Sequence, residues 1–462
     1  MKPNITELIV AHDLCIGCGV CSGLCPVDVL PMAFNRAGEY SPDEIEGCLD
    51  KCSLCVDVCP FVDKNDNEDV LGTLLYKNQE TKHTSQTGYY LNSYVAYNLE
   101  EKSRFNATSG GVSTWLLKTL YENGLVDKIV CIANSFDSQK LFNYEINNDL
   151  SFLSENTGSV YYPVELSDAI KEILKTDGKY IVTGLPCFIK AIRLAQQKNR
   201  KLRNRIKYTI ALTCGQMKSK YYTEHLIDLT GIDRDIKRVH YRGKDKKEKS
   251  SNFYFSAMNS TNESSKLYWK SRVKTVWTNR WYTPNACNYC DDVFGETADI
   301  SVMDAWLPEY TKDSKGTSLI ITRNPKIDRI INESITKNNL GGSEIDIKKV
   351  IKSQQGVLDI KREKLEYRLF LAEKNGLKVP QKRVLPSSTL SFFEKKEIEL
   401  KLKMQQQSKK YIIENQKIDI EEIDSIMNPS LLQIDRVKKA EKLAILPKRV
   451  VNKISKTLKE IV

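Results

Sequence analysis

The chain has 462 residues, 41% of them hydrophobic, and a net charge of +11. This length predicts two or three domains, and the apolar content excludes wholesale disorder. No run reaches the roughly 20 apolar residues of a membrane span, and the amino terminus lacks the apolar core of a secretion signal. We therefore expect a cytoplasmic protein whose 13 cysteines bind metal rather than form disulfides.

Two cysteine runs lie near the amino terminus. The first, CIGCGVCSGLCP at 15–26, has the spacing of bacterial ferredoxins, in which the fourth cysteine ligates the other cluster. The second, CLDKCSLCVDVCP at 48–60, has one extra residue between its first two cysteines. Together they predict a ferredoxin domain with two [4Fe–4S] clusters over residues 1–75. Site one takes Cys15, Cys18, Cys21 and Cys59, and site two takes Cys25, Cys48, Cys52 and Cys55.

The second run taken alone allows two other interpretations. Cys48, Cys52 and Cys55 also have the spacing of a radical-SAM cluster, and the pair Cys52 and Cys55 is half of a zinc site. A radical-SAM cluster leaves one iron without a thiolate, whereas here Cys59 and the first run supply every ligand. We therefore favour two cubane clusters, with zinc as the next alternative.

The chain then changes character. Residues 61–90 are polar and are interpreted as a linker. Apolar residues at helical spacing predict a helix from about residue 112, ended by Gly124, and a buried strand follows at 128–132. The segment TSGG at 108–111 precedes that helix, where free N–H groups favour an anion such as phosphate, although an ordinary helix cap fits equally well.

A β-α-β unit is predicted next. An amphipathic helix at 166–174 precedes a strand at 179–184, a helix begun by Pro186 and a strand that ends at Cys214. Parallel strands end on one edge of a sheet, so Cys187 and Cys214 are expected to lie together there. With the C-x₂-C pair Cys287 and Cys290 they make four thiols, enough for a third cluster; we call these four residues site three. Cys131 faces a strand core and is expected to be inert.

Several of these segments resemble one family. TSGG, VTGLPC, the LTC strand end, CNYCDD and ADISVMDAW are similar, in this order, to the beta-subunit family of coenzyme F420 hydrogenases and dehydrogenases. The resemblance covers residues 1 to about 325, with the dicluster ferredoxin fused in front. The sequence departs from the family pattern at Met303, where the family usually has glycine. No residue pattern indicates a pocket for the deazaflavin coenzyme.

The resemblance implies an FAD-binding domain over 76–360 and a cubane cluster on Cys187, Cys214, Cys287 and Cys290. It places flavin contacts at Ser109, Gly110 and Gly111, and less directly at Thr183 and Gly184. The expected function is an iron–sulfur flavoprotein oxidoreductase that exchanges electrons with a hydride carrier, an organic substrate or a redox partner protein. The alternative is a non-catalytic electron-transfer subunit that serves another enzyme, for which surface-polysaccharide biosynthesis is one setting. No catalytic residue is identified.

Residues 361–462 are predicted to form a basic helical tail. Helices are expected in KLEYRLFLAEKNG, at about 394–417, and after Pro447. From 436 to 462 there are nine Lys or Arg against two Glu, an excess that is interpreted as a solvated basic tail. After Pro447 the apolar residues Val450, Val451, Ile454, Leu458 and Ile461 fall on one face and the basic residues Lys448, Arg449, Lys453, Lys456 and Lys459 largely elsewhere. This pattern suits a helix in peripheral contact with an anionic membrane or one that docks on this protein or a partner; we favour docking. No recognition motif with aromatic platforms is present, so nucleic acid is not an expected partner. The predicted fold class is thus α+β and α/β: a small ferredoxin domain, a mixed α/β domain and a helical tail.

Overall fold

The computed structural model describes residues 4–43, 45–77, 80–135 and 140–461, with the side chains of 154 and 445–461 excepted. The helices are α1 Ile5–Leu8, α2 Val20–Gly23, α3 Leu54–Asp57, α4 Glu68–Tyr76, α5 Glu101–Asn106, α6 Val112–Glu122, α7 Ser151–Glu155, α8 Ser167–Lys175, α9 Pro186–Lys198, α10 Arg200–Arg205, α11 Lys220–Thr230, α12 Arg272–Thr278, α13 Pro308–Thr311, α14 Pro325–Thr336, α15 Ile347–Ser353, α16 Gln355–Lys361, α17 Glu363–Lys374, α18 Phe392–Asn415 and α19 Ile420–Ile461.

The strands are β1 Met32–Phe34, β2 Tyr40–Pro42, β3 Lys82–Thr84, β4 Gly88–Tyr90, β5 Ser93–Tyr97, β6 Lys128–Asn134, β7 Phe142–Asn147, β8 Tyr180–Gly184, β9 Ile206–Leu212, β10 Ile236–Gly243, β11 Tyr254–Asn259, β12 Ser264–Tyr268, β13 Ile300–Asp304, β14 Ser318–Thr322 and β15 Gly341–Glu344. Two short 3₁₀ segments, Val10–His12 and Asn285–Tyr289, complete the regular structure of the described residues.

An eight-stranded sheet forms the centre, in the order β15-β5-β14-β13-β9-β8-β6-β7. Strands β13, β9, β8 and β6 are mutually parallel. Strand β14 is antiparallel to both β13 and β5, so β5 runs in the same direction as the parallel four. The carboxyl ends of β5, β6, β8, β9 and β13 therefore lie on one edge, which we call the carboxyl edge. This is the edge at which α/β sheets bind ligands.

The predicted β-α-β unit is confirmed. All five residues of β8 are buried, and Pro186 occupies the first turn of α9, where its missing N–H costs no hydrogen bond. Strands β8 and β9 pair in parallel, with Ile181 opposite Tyr208 and Gly184 opposite Ala211. The helix predicted from residue 112 and the following strand are α6 and β6, and Cys131 is buried within β6.

The interpretation of 61–90 as a linker is wrong. This segment contains α4 and the hairpin of β3 and β4, and Asn67 caps α4 by accepting a hydrogen bond from the N–H of Val70. Leu71 and Tyr76 are buried against the sheet domain. The polar composition suggested a linker because some of its charged residues are in fact buried. Glu68 of α4 forms an ion pair with Lys190 at 3.3 Å, and the sequence alone does not distinguish a buried, paired Glu from a solvated one.

The carboxyl-terminal segment is helical, as predicted, but its last helix does not begin at Pro447. Helix α19 runs continuously from residue 420 to 461, because the acidic residues Glu421 and Glu422 occupy its first turn and favour initiation there. The predicted apolar and basic faces after Pro447 fall outside the described side chains. Among the described residues, none of the helices has both the length and the apolar character that crossing a bilayer requires.

The fold class is confirmed: a small cysteine-rich α+β unit precedes a mixed α/β sheet unit, and helices follow. One apolar core contains residues from all three predicted segments, among them Leu14, Phe188 and Met404. The boundaries at 75 and 360 stay a prediction.

Candidate functional site

Site two surrounds a cavity. Its four thiols, with Val29, Leu30 and Leu54 among their apolar neighbours, line a volume of about 200 Å³. Cys48 is exposed, whereas the other three are half-buried. Four thiols around a cavity with apolar walls are the donor set of a cubane cluster, and the residue inserted before Cys52 is accommodated in the loop that forms the outer wall. One side of this site therefore faces solvent.

Site one is more deeply enclosed. Burial, and then the charges of Cys18 and Cys15, raise the pKa of Cys21, and the site-two residue Cys55 adds to this effect. Burial and the charges of Cys21 and Cys15 likewise raise the pKa of Cys59. The N–H of Gly17 donates to Cys15 Sγ at 3.3 Å, the kind of contact that stabilises a cluster thiolate. The four predicted ligands are brought together, next to site two.

Site three lies on the carboxyl edge. Cys187 is in the first turn of α9, directly after β8, and Cys214 follows β9 by two residues. Cys287 lies in the 3₁₀ segment and Cys290 ends it. Burial, and then the charges of Cys290, Cys214 and Cys287, raise the pKa of Cys187. The sheet topology thus brings the four predicted residues together.

The described residues contain no group of three or more His, Cys, Asp or Glu side chains arranged to hold a single metal ion.

Sites one and three are neighbours. Cys59 is followed by Pro60 and Phe61, and these two residues line one small cavity together with Cys187 and Cys290. On another side, burial raises the pKa of Tyr144, and the charges of both Cys187 and the site-one residue Cys18 contribute. The three sites therefore form a row, from the exposed side of site two, through site one, to the carboxyl edge.

The loop at 108–111 also lies on the carboxyl edge, but the protein occupies two of its predicted ligand contacts. Ser109 Oγ donates to the carbonyl of Thr317 at 2.7 Å, and the N–H of Gly110 donates to Ser318 Oγ at 3.0 Å. A Cβ on Gly110 would lie 2.6 Å from the carbonyl oxygen of Ala96. The need for glycine at 110 is thus a packing requirement inside the protein. Gly111 has a φ of 77° and begins α6 without a side-chain cap.

Thr183 and Gly184 end β8, on the same edge but at a distance from that loop. Strands β5 and β8 are four strand spacings apart in the sheet order, or about 19 Å at ~4.8 Å per spacing. Thr183 Oγ1 donates to the carbonyl of Val130 at 3.3 Å. A single phosphate cannot touch both ends of such a span, whereas an extended dinucleotide can.

Between these ends, polar groups converge at the tip of β13. Arg242 pairs with both carboxylate oxygens of Asp304, at 2.8 and 3.0 Å. Burial raises the pKa of Tyr161, and Arg242, Asp304 and Cys214 contribute to its environment. Three buried polar atoms have no hydrogen-bond partner among the described residues: Thr108 Oγ1, Thr213 Oγ1 and Arg242 Nε. These atoms are available to a bound molecule.

Sequence reasoning missed residues from beyond position 360 that enclose site three. Lys361 Nζ lies 3.0 Å from Cys290 Sγ, and Arg368 donates to the carbonyl of Asn288 at 2.7 Å. Gln405 in α18 accepts from Asn288 Nδ2 at 3.0 Å and donates to the carbonyl of Thr283 at 2.7 Å. The sequence carried no signal for them, because Lys, Arg and Gln in a polar helix are usually solvated.

Three family models match this chain. Residues 93–171 match the amino-terminal model, and 177–348 the carboxyl-terminal model, of the coenzyme F420 hydrogenase/dehydrogenase beta subunit. Residues 8–30 match the 4Fe–4S binding domain. The family resemblance drawn from the sequence is confirmed.

Individual relatives are distant. One subunit of the F(420)H(2) dehydrogenase of Methanosarcina mazei is 23% identical over 67% of this chain and 80% of its own length. A coenzyme F420-dependent sulfite reductase of Methanocaldococcus jannaschii is 25% identical over 78% of this chain, which spans 53% of that protein. A chain in the F420-reducing [NiFe] hydrogenase complex of Methanosarcina barkeri aligns with a TM-score of 0.48 at 17% identity, covering 65% of this chain and 99% of that one. The chain belongs to the coenzyme F420 hydrogenase/dehydrogenase beta-subunit family of oxidoreductases and carries a 4Fe–4S binding domain near its amino terminus.

Proposed function

We propose that this protein is an iron–sulfur flavoprotein oxidoreductase with three [4Fe–4S] clusters and FAD. The observation that carries the proposal is the placement of its cysteines. Twelve of the 13 fall into three groups of four, and the third group opens onto the carboxyl edge where the family would bind flavin. The remaining one, Cys131, is buried in the sheet.

FAD supplies the conversion between two-electron hydride chemistry and single electrons, and the clusters supply sites for those electrons. The chain's own residues provide thiolates and enclosure. Cys287 Sγ accepts a hydrogen bond from the N–H of Met217 at 3.3 Å, which stabilises the deprotonated form that a metal requires. Cys18, Cys21 and Cys287 are buried, which keeps their thiolates from solvent and from oxidation.

The carboxyl edge suits a dinucleotide. The unpartnered Thr108 Oγ1 and the uncapped start of α6 lie at the β5 end, and the unpartnered Thr213 Oγ1 lies between there and β8. Hydroxyl and N–H groups of this kind bind phosphate and ring carbonyl oxygens. We assign FAD contacts to this edge, with Gly111, Thr183 and Gly184 along it and with Ser109 and Gly110 shaping the loop.

The substrate is a hydride carrier or a small organic molecule. Relatives named for coenzyme F420 make that deazaflavin one candidate carrier. The second candidate function is a non-catalytic electron-transfer subunit for a partner enzyme, including one of surface-polysaccharide biosynthesis. It is favoured by the row of sites that ends on the exposed side of site two, which suits a protein redox partner.

Iron and flavin analysis of the full chain, purified without oxygen, tests the cofactor assignment. We expect about twelve iron atoms and as many acid-labile sulfides per chain. Cys287→Ser should lower iron to about eight and leave the site-one and site-two signals unchanged. An unchanged iron content in Cys287→Ser would exclude a cluster in site three.

A pair of isosteric variants tests the flavin contact. Thr108→Val removes the unpartnered hydroxyl, and we expect Kd for FAD to rise about five- to tenfold, as for the loss of one hydrogen bond. Thr119→Val is the control, because its hydroxyl bonds within α6 to the carbonyl of Trp115 at 2.8 Å. Equal Kd values for both variants would place FAD elsewhere.

The two candidate functions differ in turnover. In the isolated flavoprotein, a hydride donor such as NADH or reduced coenzyme F420 should reduce the flavin, and the visible absorbance of the flavin should therefore fall. A protein with bound clusters, no flavin and no response to hydride donors would support the electron-transfer subunit instead.

A further inference from the structure

Four buried cations surround site three, and none has a carboxylate within ion-pair distance among the described residues. They come from different parts of the chain: Lys218, Arg280, Lys361 and Arg368. Burying a cation without a counter-charge is strongly unfavourable, so such a group either shifts toward its neutral form, as burial favours for Lys218, or lies next to an anion.

Two of the four approach site three from the carboxyl-terminal helices. Lys361 Nζ donates to Cys290 Sγ at 3.0 Å and to the carbonyl of Asp292 at 2.9 Å. Arg368 donates to two carbonyls, those of Asn288 and Ile360, at 2.7 Å each. Asn288 lies between the ligands Cys287 and Cys290. Burial lowers the pKa of Arg368 to about 9, so its guanidinium is protonated at pH 7.

The other two lie on the opposite side. Lys218 Nζ donates to the carbonyl of Trp281 at 2.8 Å and to Thr283 Oγ1 at 3.0 Å. Arg280 is 8% exposed, and its Nε and one terminal nitrogen have no hydrogen-bond partner among the described residues. Burial lowers the pKa of both side chains, that of Lys218 well below its usual value with Arg280 adding to the effect, and the charge of Cys287 opposes the shift. Arg280 therefore contributes charge to this site and few contacts.

The carboxylates on this side of the molecule are matched by other cations. Glu68 pairs with Lys190, Asp291 with Lys382 and Arg383, and Glu296 with Arg362 and Arg383. With Asp292, which accepts the N–H groups of Gly295 and Glu296, and Asp69, which also pairs with Arg383, there are five carboxylates and four cations. Arg280, Lys361 and Arg368 take part in none of these ion pairs.

Site one has the opposite surroundings. Among the charged groups that act on its thiols are Glu39 and Asp13 at Cys15, and Glu165 at Cys18. Lys409 lies between the first two, 2.6 Å from Asp13 and 3.0 Å from Glu39. Lys190 also acts on Cys59, but it is paired with Glu68, and Lys218 lines the small cavity that Cys15 and Glu39 share. The lysines at site one thus lie among carboxylates, whereas Arg280, Lys361 and Arg368 at site three do not.

The different charges around sites one and three would change the reduction potentials of clusters bound there. One-electron reduction of a cubane cluster adds a negative charge, which nearby buried cations stabilise and nearby carboxylates oppose. We propose that Arg280, Lys361 and Arg368 make the cluster of site three the highest-potential iron–sulfur centre of this protein. The inference rests on the proposed third cluster. An electron that enters through the ferredoxin segment is then held at the carboxyl edge, beside the flavin, and return to site one is uphill.

A reductive titration of the full chain with dithionite, followed by EPR at controlled potentials, tests this order. The signal of site three is the one that Cys287→Ser removes, and we expect it to develop before the signals of sites one and two. Arg280→Met deletes one cation with few lost contacts. At a fixed potential it should lower the ratio of reduced to oxidised cluster in site three about tenfold, which is about 59 mV for one electron. Arg280→Lys should restore most of that ratio.

Lys409→Met is the matched control. It removes a cation next to site one, so it should lower the reduced fraction of that cluster and leave site three unchanged. The potential order would be refuted if the site-three signal developed last. It would also be refuted if Arg280→Met, at normal iron content, did not change the potential at which that signal develops. Either result would leave the proposed function intact. About eight iron atoms in the unaltered chain, with no signal lost in Cys287→Ser, would instead refute the third cluster and the inference with it.

Discussion

Two Asp–Arg ion pairs of equal length offer a test of what burial does in this fold. Arg193 and Asp299 lie 2.9 Å apart, with side chains 8% and 9% exposed. Arg205 and Asp177 also lie 2.9 Å apart, but Asp177 is 91% exposed. We consider the substitutions Asp299→Asn and Asp177→Asn, each of which removes one negative charge and keeps the size of the side chain.

The buried pair does more than join two charges. Asp299 also accepts the backbone N–H of Thr209 at 2.8 Å and the Thr209 hydroxyl at 3.0 Å, so it fixes the start of β13 to β9. Arg193 is on α9, the helix that begins beside Cys187. Asparagine can keep an acceptor in place but leaves Arg193 buried without a counter-charge, which costs about 3–5 kcal/mol. For the exposed pair the loss is about 0–1 kcal/mol.

Urea denaturation followed by circular dichroism measures both losses in free energy of unfolding, and iron analysis of the same samples reports on site three. We expect Asp299→Asn to lose at least about 3 kcal/mol more than Asp177→Asn and to bind less iron in site three. Equal losses in the two variants would show that burial does not decide the strength of these pairs.

Three further predictions concern single positions. Burial lowers the pKa of His225 to about 3, so between pH 6.5 and 3 this side chain is protonated only in the unfolded chain, and stability falls as pH falls. In urea denaturation, His225→Leu should remove about 1 kcal/mol of the stability loss between pH 7 and 5.5, and an unchanged pH profile would contradict this. Gly110→Ala places a Cβ 2.6 Å from a backbone oxygen and should lower the thermal midpoint well below that of Gly356→Ala, at a helical glycine whose Cβ meets nothing within 4 Å; similar midpoints would mean that the loop yields easily. Burial raises the pKa of Cys131 to about 12, so iodoacetamide at pH 8 should leave it unlabelled in the folded chain by mass spectrometry, and labelling at the rate of an exposed thiol would contradict its enclosure.

Cysteine spacing and hydrophobic periodicity carried much of the prediction in this protein. The two ferredoxin runs specify which thiols face each other, because a cubane cluster requires ligands at short fixed spacings and the fourth from the other run. The strands at β8 and β9, with Pro186 between them, specify a parallel pair and hence one shared edge for Cys187 and Cys214. These are local patterns, and local patterns are written directly in the sequence.

The charges could be placed only by the tertiary structure. Lys361, Arg368 and Arg280 look like solvated surface residues in the sequence, yet chain segments far apart bring them to one buried site. The same holds for Glu68 and Lys190, 122 positions apart, which turned a supposed linker into a packed helix. Whether a charged side chain is solvated, paired or left to act on a neighbouring site depends on which segments pack against it, because desolvation is a property of the assembled interior and not of the residue.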